Sequence, residues 1–241
     1  MALGARPVLV FQIAEGDDPG RFGEFLSRES IPWRLVRLDR GDEVPADSAG
    51  CAGIGFMGGP MSVNDPLPWV EPALRLIRDA VARKVPFIGH CLGGQMLAKA
   101  LGGMVARNPV KEIGWNRVER EDNLTAEEWL GDSGRALTVF QWHGETFTIP
   151  EGATRILRGE YCANQAFVVD GLHLGMQCHV EMTDDIISRW CSSGAAEVSR
   201  SAASPAVQGV ADIRAQIAAN LPALNALADR LYVRWARGLA R

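Results

Sequence analysis

Short apolar, β-branched runs alternate with helix-spaced hydrophobic positions through the first hundred residues. Residues 7–13 are one such run and read as a strand. Residues 20–30 follow, with Phe22, Phe25 and Leu26 at helical spacing. Residues 33–38 and 52–57 read as the second and third strands. A helix is predicted over 71–83, where Leu74, Ile77 and Val81 share one face and Arg75, Arg78 and Asp79 lie elsewhere. Residues 85–89 give a fourth strand and 92–101 a helix ended by Gly102-Gly103. Such alternation predicts a parallel sheet with helices on both faces.

The rhythm then changes. Residues 111–120, 136–142, 163–169 and 172–178 are strand-like, and Asp170-Gly171 is a turn signal between the last two. A helix over 183–191 has Thr183 as N-cap and Asp184-Asp185 in its first turn. The Ala/Ser-rich residues 194–204 read as a loop. A helix over 204–219 is predicted to open on Ser204, with Pro205 at its first position. Leu224, Ala228, Leu231 and Trp235 then share one face of a last helix. No internal repeat is visible. The expectation is an α/β fold with a mostly parallel central sheet, a small antiparallel sheet, and one domain over 1–241 carrying C-terminal helices at 204–237.

Composition acts mainly by exclusion. The 241 residues are 47% hydrophobic and 22% charged, an ordinary globular balance. A net charge of −4 with scattered basic residues argues against nucleic acid as the main partner. No apolar run approaches the roughly 18 residues of a membrane span. The run at 8–14 contains Gln12 and leads into Glu15, Asp17 and Asp18, so it reads as a strand rather than a signal peptide. Five cysteines at irregular spacing, with no Cys-x-x-Cys pair, point to a reduced, cytoplasmic protein with mostly buried thiols.

The most informative segment is Val85-Pro86-Phe87-Ile88-Gly89-His90-Cys91-Leu92-Gly93-Gly94-Gln95. A buried-strand signature runs into Gly-x-Cys-x-Gly and then a helix, the nucleophile-elbow pattern with Cys in place of Ser. Gly89 and Gly93 remove side chains that would collide on a tight strand-to-helix turn. The helix N-terminus behind Cys91 favours a thiolate, and the Leu92 amide is placed to donate to an oxyanion. Gly-rich turns of this kind also bind phosphates, so the segment alone leaves both readings open. Gly58-Gly59-Pro60-Met61-Ser62, after the third strand, has the glycines of an oxyanion loop, or of a plain turn.

A cysteine nucleophile needs a base and a group to orient it. His90 adjoins Cys91 and should point away from it. His173 and His179 fall on one predicted strand, with His179 at its carboxyl end, where sites of open α/β sheets collect. Glu181, two residues on, lies on the same side as His179 in an extended segment, within reach of an imidazole–carboxylate bond. His143, in Gln141-Trp142-His143-Gly144-Glu145, either contacts substrate or bonds within the fold; the second is favoured because buried polar groups find local partners.

Together these segments resemble the class I glutamine amidotransferases. Gly58-Gly59-Pro60-Met61-Ser62 is similar to their oxyanion loop, and Gly89-His90-Cys91-Leu92-Gly93-Gly94-Gln95 to their nucleophile motif. Gly175-Met176-Gln177-Cys178-His179-Val180-Glu181 is similar to their Gly-x-Gln-Phe-His-Pro-Glu segment. Residues 111–115 and 141–147 further resemble a stand-alone branch related to the glutaminase part of GMP synthase. Cys178, Val180 and Glu145 depart from the usual Phe, Pro and Asp.

The resemblance implies a flavodoxin-like fold and a γ-glutamyl thioester on Cys91. It makes His179 the proton shuttle and Glu181 its orienter. It also implies an oxyanion hole from the Gly59 and Leu92 amides, and a glutamyl contact at Gln95, with His143 as a further substrate-contact candidate. No cofactor and no metal are implied. The partners expected are glutamine or another γ-glutamyl compound, and a separate synthetase subunit in one version. The chain has neither a Ser-Gly-Gly-x-Asp-Ser loop nor a Walker loop with which to activate an acceptor itself. In a second version it acts alone on a γ-glutamyl amide or peptide. A non-catalytic binding protein with this fold would have no need of Cys91, His179 and Glu181. A cysteine α/β-hydrolase would place its acid before its histidine, the reverse of the order here.

Overall fold

The computed structural model describes residues 6–239. The N-terminal half follows the alternating pattern: β1 (Val8–Gln12), α1 (Gly20–Arg28), β2 (Trp33–Arg37), β3 (Gly53–Phe56), α2 (Val70–Ala82), β4 (Phe87–His90) and α3 (Leu92–Ala100). After it come β5 (Val105–Arg120), α4 (Leu124–Leu130), β6 (Ala136–Phe147), β7 (Thr154–Gly159), β8 (Ala166–Val169) and β9 (His173–Met176). The chain continues with α5 (Asp184–Ser193), α6 (Ala195–Arg200), β10 (Ala206–Val207), α7 (Val210–Ala215) and α8 (Ile217–Ala236).

β2, β1, β3, β4 and β9 lie side by side in parallel, the order of a doubly wound α/β sheet. Burial is complete along β1, β3 and β4, as strands covered by helices on both faces require. From β9 the sheet runs on antiparallel through β8, β7 and β5, with β6 also paired to β5, so the antiparallel strands extend the same sheet. β5 and β6 form the long hairpin that carries residues 112 and 143 as direct partners.

On α8 the expected stripe of Leu224, Ala228, Leu231 and Trp235 is wholly buried. A buried leucine of this kind contributes about 1.5–3 kcal/mol relative to an exposed one. Thr183 caps α5 as predicted, its hydroxyl accepting the Ile186 amide at 3.3 Å.

Three expectations fail. The helix predicted from Ser204 does not start there. The Ser204 hydroxyl instead donates to the Lys111 carbonyl at 2.6 Å, and Ala206–Val207 pair in parallel with Glu112 and Ile113 as β10. Helix begins only at Val210, so the C-terminal helical region is shorter than 204–237. Residues 194–204, expected as a loop, contain α6, anchored by Val198 in the core. His179 is not on the strand of His173. β9 ends at Met176, the chain bends at 177–178, and His179 makes an isolated bridge to Phe140, its amide donating to the Phe140 carbonyl at 2.9 Å.

Candidate active site

The chemistry-bearing residues gather at the carboxyl ends of the parallel strands, where open α/β sheets hold their ligands. Cys91 sits between β4 and α3 with φ 49° and ψ −106°, a conformation that non-glycine residues avoid and that active-site turns retain. The turn depends on missing side chains. A Cβ on Gly89 would stand 2.3 Å from the Gly93 backbone, and one on Gly93 would stand 2.4 Å from the Phe56 carbonyl oxygen. Strand, turn and helix are therefore locked together and carry the thiol to the carboxyl end of the central strands.

His179 and Glu181 approach from the segment after β9. His179 Nδ1 and Glu181 Oε1 are 2.6 Å apart, and both side chains are almost completely buried. Burial by itself would lower the imidazole pKa, but the Glu181 carboxylate and the Cys91 sulfur outweigh it and hold His179 well above its ordinary value. Burial would likewise raise the Glu181 carboxyl, yet the facing His179 keeps it below the usual range. The Trp190 ring meets the imidazole edge to face, with centroids 4.9 Å apart. His179 Nε2, on the far side of the ring, has no hydrogen-bond partner among the described residues. A side chain at Gly58 would put its Cβ 3.0 Å from His179 Cε1 and 3.6 Å from Cys91 Cβ, so both residues flank one backbone position. Cys91, His179 and Glu181 are thus brought together at one place.

The other candidates also converge. Gly59 packs against the Leu92 side chain, 3.2 Å from where its own Cβ would be. Gln95 lines the cleft, and its Nε2 donates to Gln177 Oε1 at 3.2 Å and to the Glu145 carbonyl at 3.4 Å. Gln177 in turn donates to Cys91 Sγ at 3.5 Å. His143 borders the cleft with both ring nitrogens engaged, Nδ1 with the Glu145 carbonyl and Nε2 with Glu112 Oε2, each at 2.9 Å. That is the bonding-within-the-fold alternative. His90 turns away from the cleft and bonds the Tyr232 hydroxyl at 3.0 Å, as expected.

The cleft above Cys91 and His179 has a volume of about 1650 Å³. One wall is the Gly59–Met61 loop; the opposite wall is α5, α6 and the start of α8, including Trp190, Gly194 and Ile217. Asp17, in the loop after β1, faces the same space, and burial pushes its carboxyl up to about 6.

Glu112, His143 and Cys162 bring one ligand-type atom each within 4.8 Å of the others. Burial holds the Cys162 thiol up at about 11, and its sulfur meets the Thr146 hydroxyl at 3.1 Å. Glu112 already accepts from Gln165 at 2.9 Å as well as meeting His143. Glu112 and His143 thus belong to one hydrogen-bonded group, and Cys162 bonds separately to Thr146.

Sequence reasoning missed Glu112, Gln177, Trp190 and Asp17. Gln177 sits inside a motif whose visible signal is its histidine and glutamate. Asp17 follows the carboxyl end of β1, a position that marks sites in such folds. Glu112 and Trp190 carry no local signal.

Cys91 on its strained strand-to-helix turn and the carboxylate-paired imidazole of His179 thus border one open cleft in a doubly wound α/β protein. The chain belongs to the glutamine amidotransferase class-I family, whose model matches residues 26–185. It is similar to the crystal structure of a glutamine amidotransferase from Methylobacillus flagellatus, with 48% identity over 99% of this chain and 97% of that one, and a TM-score of 0.96. The glutamine amidotransferase-like protein YfeJ of Salmonella typhimurium is 27% identical over 77% of this chain and 79% of its own length. GMP synthase (glutamine-hydrolyzing) of Lacticaseibacillus casei is 33% identical, but the match covers 54% of this chain and only 24% of that enzyme.

Proposed function

We propose that this chain hydrolyses a γ-glutamyl amide through a thioester on Cys91. The observation that carries the reading is His179, fixed at Nδ1 by Glu181 and left without a partner at Nε2 beside the Cys91 thiol. His179 Nε2 takes the proton from Cys91, and the sulfur attacks the amide carbon. The resulting oxyanion is held by the Gly59 and Leu92 amides. His179 then gives the proton to the leaving nitrogen, the C–N bond breaks, and ammonia or an amine departs. A water, deprotonated by the same imidazole, attacks the thioester, releasing glutamate and restoring the thiol. Glu181 keeps the tautomer in register and stabilises the imidazolium.

Two features bear on the leaving group. The cleft exceeds the roughly 300–1,000 Å³ of ordinary small-molecule sites, leaving room beyond a glutamyl side chain for a larger amine. Its far wall comes from Trp190, Gly194 and Ile217, beyond the residues shared with the family model. Both favour a γ-glutamyl conjugate as substrate. The likeness to GMP synthase supports the second reading, a glutaminase that passes ammonia to a separate synthetase.

The purified chain, assayed for glutamate release from glutamine and from γ-glutamyl amines and peptides, separates them. Turnover of conjugates above that of glutamine supports the first reading. Silence broken by an added synthetase supports the second. Silence together with no saturable labelling of Cys91 by a glutamine-like chloroketone overturns both.

A further inference from the structure

An unbroken chain of hydrogen bonds leads from a second buried histidine–carboxylate pair to the Cys91 sulfur. Glu112 Oε2 meets His143 Nε2 at 2.9 Å, and both side chains are buried. The Glu145 carbonyl can only accept, so His143 Nδ1 donates to it, at 2.9 Å. The same carbonyl accepts from Gln95 Nε2, which also donates to Gln177 Oε1 at 3.2 Å. Gln177 Nε2 ends the chain at Cys91 Sγ, 3.5 Å away.

Each link has one polarity. With its Nδ1 hydrogen given to the carbonyl, His143 shares a single proton with Glu112 on its other side. Gln165 holds Glu112 from behind, donating to the same Oε2, and its own Oε1 accepts from Gln141 at 2.8 Å. Two acceptors take both Nε2 hydrogens of Gln95, so its Oε1 is the unengaged atom, with no partner among the described residues. Gln95 is nearly buried yet lines the cleft, so that oxygen is an acceptor offered to a bound ligand.

We infer that His143 and Glu112 are positioning residues. They hold the Glu145 carbonyl so that Gln95 presents an oxygen to the ammonium end of a glutamyl substrate while Gln177 steadies the nucleophile. The inference rests on the hydrolase reading above and adds how substrate is held. It requires no contact between His143 and the ligand, and no charge transfer along the chain. Without the imidazole the Glu145 carbonyl loses one of its two side-chain donors, and the Gln95 carboxamide that leans on it is held less firmly with its oxygen toward the ammonium.

The test uses the full chain and two thiol reagents. A glutamine-like chloroketone must occupy the glutamyl site before it alkylates Cys91; iodoacetamide needs only the thiol. In His143→Phe and Glu112→Leu the chloroketone concentration for half-maximal labelling is expected to rise about tenfold, the loss of roughly one buried hydrogen bond to a charged group. The limiting labelling rate should fall less, and iodoacetamide alkylation should stay within about twofold of the parent. Glu112→Gln and His143→Gln keep a polar partner at each link; they should recover most of the affinity, and they serve where the apolar variants do not fold. Unchanged half-saturation in the variants, with normal labelling of the parent, overturns the positioning role alone. Equal loss with both reagents also overturns it, since a general disturbance of the site does not distinguish a glutamyl reagent. A parent chain that reacts with iodoacetamide but shows no saturable chloroketone labelling overturns the hydrolase reading, and this inference with it.

Discussion

His179 and His143 are both buried, and each holds a carboxylate oxygen within hydrogen-bond distance, at 2.6 Å from Glu181 and 2.9 Å from Glu112. Their second nitrogens differ. His143 Nδ1 is spent on a backbone carbonyl, whereas His179 Nε2 has no partner among the described residues and lies beside a thiol. An imidazole bonded at both nitrogens can hold neighbours in place but has no site for a travelling proton. One left open at a nitrogen beside a thiol has such a site. The cysteines divide in the same way. Burial raises the thiols of Cys51, Cys162, Cys178 and Cys191 and keeps them inert. Only Cys91 stands on a strained turn facing a histidine among the described residues.

The largest expected effect breaks the comparison at the sulfur. Cys91→Ala should reduce γ-glutamyl amide hydrolysis by about ten-thousand-fold or more and abolish chloroketone labelling. Labelling that persists at another residue would place the nucleophile elsewhere. Cys51→Ala and Cys191→Ala, at buried thiols away from the cleft, should stay within about twofold. Next comes the carboxylate. Glu181→Gln keeps an oxygen for His179 Nδ1–H but loses the charge that stabilises the imidazolium, so a fall of about 10²–10³-fold in kcat is expected. A loss equal to that of Cys91→Ala would mean that Glu181 does more than orient its neighbour.

A smaller effect tests the spacing between sulfur and imidazole. Gly58→Ala places a methyl 3.0 Å from His179 Cε1, so the ring must shift by a few tenths of an ångström. Activity should fall about tenfold with little change in melting temperature. Unaltered activity would show that the ring has slack, against its close edge-to-face packing with Trp190.

The parallel half of the fold and the turn at Cys91 were readable because their signals are local. A buried strand, two glycines and an amphipathic helix lie within a dozen residues, and their spacing is their physics. Elements whose partners are distant in sequence were not readable. Ser204-Pro205 has the chemistry of a helix start, but the Ser204 hydroxyl is taken by Lys111, far away in the chain, and the following residues join a sheet edge. α4 is a single short helix whose clearest mark is Asn123, which accepts the Ala126 amide at 2.9 Å. The residues around the cleft follow the same rule in part. His179 and Glu181 are two residues apart and announced each other, whereas Glu112 and His143 meet only because β5 and β6 pair in a register that brings them opposite.

The smallest effect concerns Asp17, whose carboxyl lies near the open histidine without a bond of its own among the described residues. Burial raises it to about 6 from 3.8, with His179 pulling the other way. The raised value fixes the sign of its linkage to folding. Below about pH 3.8 the carboxyl is protonated whether the chain is folded or not, and it costs nothing. Between 3.8 and about 6 the unfolded chain ionises first, so stability falls as pH rises, and above about 6 the whole cost is present. Asp17→Asn removes a charge that the fold tolerates poorly. Because the side chain is only partly buried, the expected gain near pH 8 is about 1–2 kcal/mol, shrinking to nothing near pH 4. Melting curves of parent and variant across that range read the difference directly. A gain that is constant with pH would trace to packing rather than ionisation. A loss near pH 8 would mean that Asp17 is held as a charged partner of His179, joining the open histidine to a second carboxylate and erasing part of its contrast with His143.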